Sequence, residues 1–139
     1  MARLTAKSMS RGLALVEAAI VLPLLLLLVF GVLEYGWMFY KASEVTNAAR
    51  DGARTAALHG GTDARARAKI IAAMSAAGMT IGDGNITISP SADPPTTPGT
   101  TVTVTVSVAY KGNVELMRFP LLPVPEKLSA SVSMAKEGP

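Results

Sequence analysis

One carboxylate, Glu17, lies inside an otherwise apolar run of the sequence. The run extends from Leu13 to Leu33, and 18 of its 21 residues are hydrophobic. An ionised side chain at the centre of a bilayer costs about 2.5–3.5 kcal/mol, less near an end, and such a residue usually has a partner. Two charges in hydrocarbon are tolerable only when they are paired. The chemistry that Glu17 predicts is therefore charge pairing at an apolar helix.

Residue types suited to catalysis are scarce in the rest of the chain. There is no cysteine and a single histidine, His59, which has no serine–aspartate pattern or carboxylate cluster around it. A lone histidine at a helix end more often complements the helix dipole than binds a ligand. No glycine loop suited to phosphate and no pair of catalytic carboxylates is visible. The sequence predicts no enzyme activity, no cofactor and no metal site.

The apolar run has the length of a membrane-spanning helix. Its 21 residues, at about 1.5 Å each, span about 31 Å, which is roughly the thickness of the hydrocarbon core. Three basic residues and no acidic residue precede it, so the positive-inside bias places the N-terminus in the cytoplasm. Aromatic residues crowd its exit, as in the belt at a membrane interface. The basic residues are Arg3, Lys7 and Arg11, and the aromatic residues are Tyr35, Trp37, Phe39 and Tyr40.

These features predict a single-pass protein of the inner (cytoplasmic) membrane. We expect a basic leader over 1–12, a transmembrane helix over 13–39 and an extracytoplasmic α+β domain over 40–139. A cleaved secretory signal peptide would need a shorter apolar core and a small-x-small site after it. A plain signal anchor explains the topology but leaves Glu17 unexplained. The net charge of +3 resides wholly in the leader, so we expect no nucleic-acid partner.

The entry to the apolar run resembles a prepilin processing site. It reads Arg11-Gly12, then Leu13-Ala14-Leu15-Val16-Glu17. The resemblance implies that an integral-membrane prepilin peptidase cuts between Gly12 and Leu13 on the cytoplasmic side. It also implies that Glu17 matches the free N-terminus of a neighbouring subunit during assembly.

A longer stretch, 11–61, resembles the TadE-like family of pseudopilins from the tight-adherence (type IVc) pilus machinery. The matching residues are Gly12, Glu17-Ala18, Pro23, Phe30-Gly31, Glu34-Tyr35-Gly36 and Thr46-Asn47-Ala48-Ala49-Arg50-Asp51-Gly52-Ala53-Arg54. The resemblance implies a pseudopilin or minor pilin whose partners are membrane lipid, the prepilin peptidase, other pilin or pseudopilin subunits and pilus assembly proteins. The major pilins of this system are shorter and usually have Tyr after the Glu, where this chain has Ala18, so a minor role is favoured.

Small residues recur at helical spacing beyond the apolar run. They form ridges that let two helices approach closely, and the candidate packing residues are Ala48, Ala49, Gly52, Ala53 and Ala56. The ridges contact either another subunit or the protein's own sheet. The charged residues Arg50, Asp51 and Arg54 flank them and are expected to form a solvated or salt-bridged rim.

The remaining sequence predicts a second helix followed by a small antiparallel sheet. Gly60-Gly61 should end the first helix near Leu58-His59, and Thr62 should cap a second helix that runs to about Ala77. On that helix, Arg65, Arg67 and Lys69 are expected to face water. Apolar and hydroxyl residues then alternate in three segments, which is typical of strands with one face covered. The segments lie at Asn85–Ser89, Thr100–Tyr110 and Leu128–Met134.

Two other functions compete with the pilin interpretation. The chain could be a membrane-tethered binding module that does not enter a filament, or a secreted domain released by signal cleavage. The N-terminal sequence of the mature protein distinguishes all three.

Overall fold

The computed structural model describes residues 3–93, 97–117 and 122–138, with side chains from residue 12 onward. Two helices, α1 (Arg3–Ala57) and α2 (Asp63–Ala76), precede a 3-10 turn (Asp83–Asn85). Three strands follow, β1 (Ile86–Ser89), β2 (Thr101–Ala109) and β3 (Lys127–Ala135). The predicted α+β class is confirmed, and so are the two helices and the three strands. The chain divides into two compact units, Met1–Gly36 and Trp37–Pro139.

The first unit consists of the N-terminal part of α1. Most of its large apolar side chains are exposed, as Leu13 at 75% and Leu28 at 63% illustrate. A helix that is apolar on all sides needs an apolar environment all round. Among the described residues, one helix, Gly12–Ala57, is long and apolar enough to cross a membrane. The first unit therefore fits a single-pass membrane protein.

The second unit is built on an antiparallel sheet in the order β1-β2-β3. The four valines of β2, from Val102 to Val108, are buried, whereas the threonines between them lie on the opposite face. That face carries cross-strand hydroxyl pairs, with 2.8 Å between Thr103 Oγ1 and Ser133 Oγ. The period-2 pattern fixes this division, because successive side chains of a strand point to opposite faces.

The ends of α1 and α2 lie next to the glycines and the capping threonine that predict them. The last residue of α1 is Ala57, and Gly60 has a φ of 71°, which favours glycine. The Thr62 hydroxyl accepts a hydrogen bond from the backbone N–H of Arg65 and so caps α2. Gly78, just beyond α2, has a φ of 70°.

Two buried lysines neutralise the carboxyl ends of the helices. Lys136 Nζ donates to the carbonyl of Ala56 at 2.8 Å and to that of Gly61 at 3.2 Å. Lys41 Nζ donates to the carbonyl of Ala77, next to the end of α2. Terminal carbonyls carry the negative end of the helix dipole, so an ammonium group there is stabilising. Each ammonium group thus replaces water as the hydrogen-bond donor to a backbone carbonyl that has no partner within its helix.

Candidate functional site

The predicted processing site lies on an open part of α1. Gly12 is helical and exposed, and a Cβ added there would meet no atom of the described residues within 4 Å. Leu13 is also helical and is exposed. Packing does not require a glycine at position 12, and helix propensity disfavours one by about 1 kcal/mol relative to alanine. Neither packing against the described residues nor helix propensity therefore explains why position 12 is a glycine.

Glu17 lies on the same side of α1 as Leu13. Residues four apart are neighbours on a helix surface, and the rise between these two is about 6 Å. Glu17 is exposed and has no hydrogen bond or ion pair with any side chain that the structure describes. The surrounding exposed side chains are apolar, including Val16 and Ile20. The carboxylate is thus available to a charged group from outside this unit.

The segment 46–54 separates into a buried and an exposed half. Its small residues point into the core of the second unit, where the alanine side chains are at most 2% exposed and Gly52 is buried. Its polar residues lie on the other side of α1 and, apart from the half-buried Thr46, are exposed. The buried residues are Ala48, Ala49, Gly52 and Ala53, joined by Ala56 one turn later, and the exposed residues are Asn47, Arg50, Asp51 and Arg54.

Gly52 marks the close approach of α1 to α2. A Cβ added at this position would lie 2.5 Å from Ile70 Cγ1, closer than real side chains come, and 3.5 Å from Val104 Cγ1 of β2. Ile70 is fully buried, so it has little room to move aside. In this structure the small residues therefore pack against the protein's own second helix and sheet.

We expect Gly52→Ala to destabilise the second unit by about 1–3 kcal/mol, because the added methyl group overpacks the contact with Ile70. Thermal unfolding of the purified chain in detergent, followed by circular dichroism, measures the effect. Gly36→Ala is the matched control, since a Cβ at that helical glycine meets no described atom within 4 Å. Equal melting temperatures for the two variants would contradict the proposed close contact.

The exposed side of α1 in the second unit is polar. A shallow depression of about 320 Å³ is lined by Phe39, Ala42, Ser43, Thr46, Asn47 and Arg50. The hydroxyl groups of Ser43 and Thr46 donate to carbonyls of their own helix. The side chains of Asn47 and Arg50 make no hydrogen bond to any part of the described chain, so they are available to a partner.

Comparison with known families bears on the first helix alone. Residues 12–54 match the family model described as TadE-like protein. The match confirms the TadE-like resemblance over these residues, and it begins at Gly12 and ends at Arg54. No curated protein and no solved structure matches the chain. The matched segment therefore contains the predicted processing site, Glu17 and both halves of the 46–54 segment.

Proposed function

We propose, from the TadE-like match over residues 12–54, that this chain is a pseudopilin or minor pilin of a tight-adherence (type IVc) pilus. It takes part in pilus assembly and is anchored or polymerised through its apolar helix. The observation that supports this most directly is the start of that helix. Gly12 and Leu13 are open, Glu17 follows one turn later, and all three lie where the family match begins.

The exposed apolar helix suits a subunit that moves from lipid into an assembly. Burying apolar area contributes about 25 cal/mol per Å², whether water is replaced by lipid or by other helices. Transfer from the bilayer to a bundle of similar helices therefore keeps this stabilisation. Association within the membrane then depends on packing and on polar pairing. The carboxylate of Glu17 supplies such a polar group near the start of the helix.

Cleavage after Gly12 would create the partner that Glu17 needs. The new α-amino group of Leu13 is a cation at the start of an apolar helix, and burial of either charge alone is costly. Pairing the amino group of one subunit with Glu17 of its neighbour satisfies both charges. The partners in this proposal are membrane lipid, the prepilin peptidase, and other pilin or assembly subunits. The N-terminus lies in the cytoplasm and the second unit lies outside the inner membrane.

The mass and N-terminal sequence of the mature protein test this proposal. We expect the protein recovered from membranes to have lost residues 1–12 and to begin at Leu13. Expression in a strain without the prepilin peptidase is the control, and it should yield the full chain. Cleavage beyond Leu33 would overturn the proposal in favour of a secreted domain.

A membrane-tethered binding module is the second candidate. The observation that favours it is the exposed polar side of α1, where Asn47 and Arg50 line a depression and are available to a partner. An intact N-terminus in a strain that processes its other prepilins would support this candidate and contradict cleavage at Gly12.

A further inference from the structure

Exposed side chains of α1 in the second unit lie along two lines of the helix surface. Phe39 and Arg50 are eleven positions apart, or about three turns, so they lie on one line. Tyr40 and Asp51 follow them by one position each and lie on a second line, turned by about 100°. We call these the basic line (Phe39 and Arg50) and the acidic line (Tyr40 and Asp51). Each line carries an aromatic ring and, at the same distance along the helix, one charge.

All four side chains of the two lines are accessible. Phe39 is 66% exposed and Tyr40 is 50% exposed, and Arg50 and Asp51 are exposed as well. The ring of Tyr40 packs against Trp37, with 5.6 Å between the ring centroids, and this contact holds it in place. Phe39 and Arg50 line the shallow depression on α1. The basic line therefore has room for a side chain from another molecule.

The two charges do not satisfy each other within one chain. Neighbouring residues of a helix do not face each other, and neither side chain forms an ion pair with a residue that the structure describes. Arg54, one turn after Asp51, does not pair with it either. Glu44, the other acidic residue of α1 in the second unit, is half-buried. Asp51 is therefore the exposed carboxylate of this part of α1, and a charged partner for it has to come from another molecule.

We infer that the basic line of one copy of this chain docks on the acidic line of a second copy, with the two α1 helices side by side and in the same direction. At one level of the helices, Arg50 then faces the neighbour's Asp51, and Phe39 faces the neighbour's Tyr40. The matched spacing fixes the direction, because antiparallel helices that paired the charges would separate the rings. The inference rests on the proposed function, in which other subunits are the partners.

A contact between unlike lines does not close on itself. One copy uses its basic line and the other its acidic line, so a pair still offers one line at each end. Such head-to-tail contacts let a further subunit join, unlike a two-fold contact that uses the same patch twice. The charges also select the partner surface, since two basic lines repel each other.

Reversed charges test the contact in the full-length chain. The variants are Arg50→Asp, Asp51→Arg and the double variant that carries both substitutions. Each is labelled at Ser131→Cys, an exposed position on the hydroxyl face of the sheet, since the chain has no cysteine of its own. Energy transfer between donor-labelled and acceptor-labelled copies, in vesicles of phosphatidylethanolamine and phosphatidylglycerol, measures association. We expect each single variant to weaken association about tenfold, because like charges then oppose each other, and the double variant to restore it.

Two further variants separate the contact from general effects of charge and shape. Arg65→Asp is the matched control, since Arg65 is an exposed arginine of α2 outside both lines, and it should leave energy transfer unchanged. Phe39→Ala should weaken association several-fold, because it removes the ring that faces the neighbour's Tyr40. Circular dichroism of every variant checks that the fold is retained, which the exposure of the substituted residues favours.

Two results would overturn the inference. One is unchanged energy transfer in both single variants. The other is a double variant that retains both losses, because Arg50 and Asp51 would then meet a molecule other than a second copy, such as a lipid headgroup.

The labelling experiment also distinguishes this inference from the proposed function, because it uses the chain with residues 1–12 in place and does not depend on their removal. Cleavage before Leu13 in cells, together with energy transfer that does not depend on these charges, would overturn the contact alone. An intact N-terminus in cells, together with restored transfer in the double variant, would overturn the proposed function and support the contact.

Discussion

Replacing Gly12 by leucine is expected to block removal of the leader, so that the full 139-residue chain is recovered from membranes. A peptidase must approach the backbone of the 12–13 bond closely, and glycine presents no side chain there. Leucine adds bulk and has a higher helix propensity than glycine, which lies about 1 kcal/mol below alanine, and this opposes local unwinding. We expect cleavage to slow by about 100-fold or more, the scale of a misplaced reacting bond.

The structure indicates that Gly12→Leu leaves the fold intact. No described atom lies within 4 Å of a Cβ at position 12, and the backbone there is helical. Gly36→Leu is the control, since that helical glycine is equally open and lies more than six turns beyond the predicted cleavage site. Mass spectrometry of the membrane-bound protein measures the ratio of full-length to shortened chain. A normally shortened Gly12→Leu protein would show that cleavage does not depend on this glycine.

The strands and helix ends of this protein are predictable because local chemistry determines them. Alternating valine and threonine in β2 specifies a strand with one buried face, whatever lies above it. Gly60 and Thr62 act within one turn of the helix ends that they define. The same local logic identified Gly12 and Glu17, whose residue types are unusual at the entry to an apolar helix.

The buried lysines were not predictable, because their partners are distant in sequence. Lys136 donates to the carbonyl of Ala56, 80 positions away. Sequence patterns treat lysine as a surface residue, since burial requires a partner that they do not identify. The expectation that Arg67 faces water was wrong for the same reason. Arg67 is half-buried, and Nη1 donates to the backbone carbonyls of Asp83 and Ile86, both at 2.9 Å.

The small residues of α1 illustrate what periodicity leaves open. Spacing places Ala49, Gly52 and Ala53 on one helix face, but an alanine face suits a neighbouring subunit as well as the protein's own core. Only the three-dimensional contacts distinguish these partners, here through Ile70 and Val104 beside Gly52. The opposite, polar side of the same helix is the side left for other molecules.

Replacing Glu17 by glutamine is expected to remove the protein from assembled filaments while leaving its insertion and processing unchanged. The substitution keeps the side-chain shape and removes the charge. Insertion should not suffer, because a neutral amide costs less in lipid than a carboxylate. In the assembly, however, the amino group of the neighbour's Leu13 would lose its counter-charge. Breaking a buried ion pair on one side costs about 3–5 kcal/mol, or a loss in association of about 10²-fold to about 4 × 10³-fold.

Recovery of the protein in filaments sheared from the cell surface, relative to its amount in membranes, measures this loss. Glu44→Gln is the control, since Glu44 is a half-buried glutamate of the same helix outside the apolar run. Normal recovery of Glu17→Gln would contradict the pairing.

The double variant Gly12→Leu with Glu17→Gln tests the pairing more sharply. An uncleaved chain has no amino group at Leu13, so the pair is already lost and the second substitution should add little. If the losses of recovery caused by the two substitutions add in the double variant, Glu17 contributes to assembly independently of the amino group at Leu13.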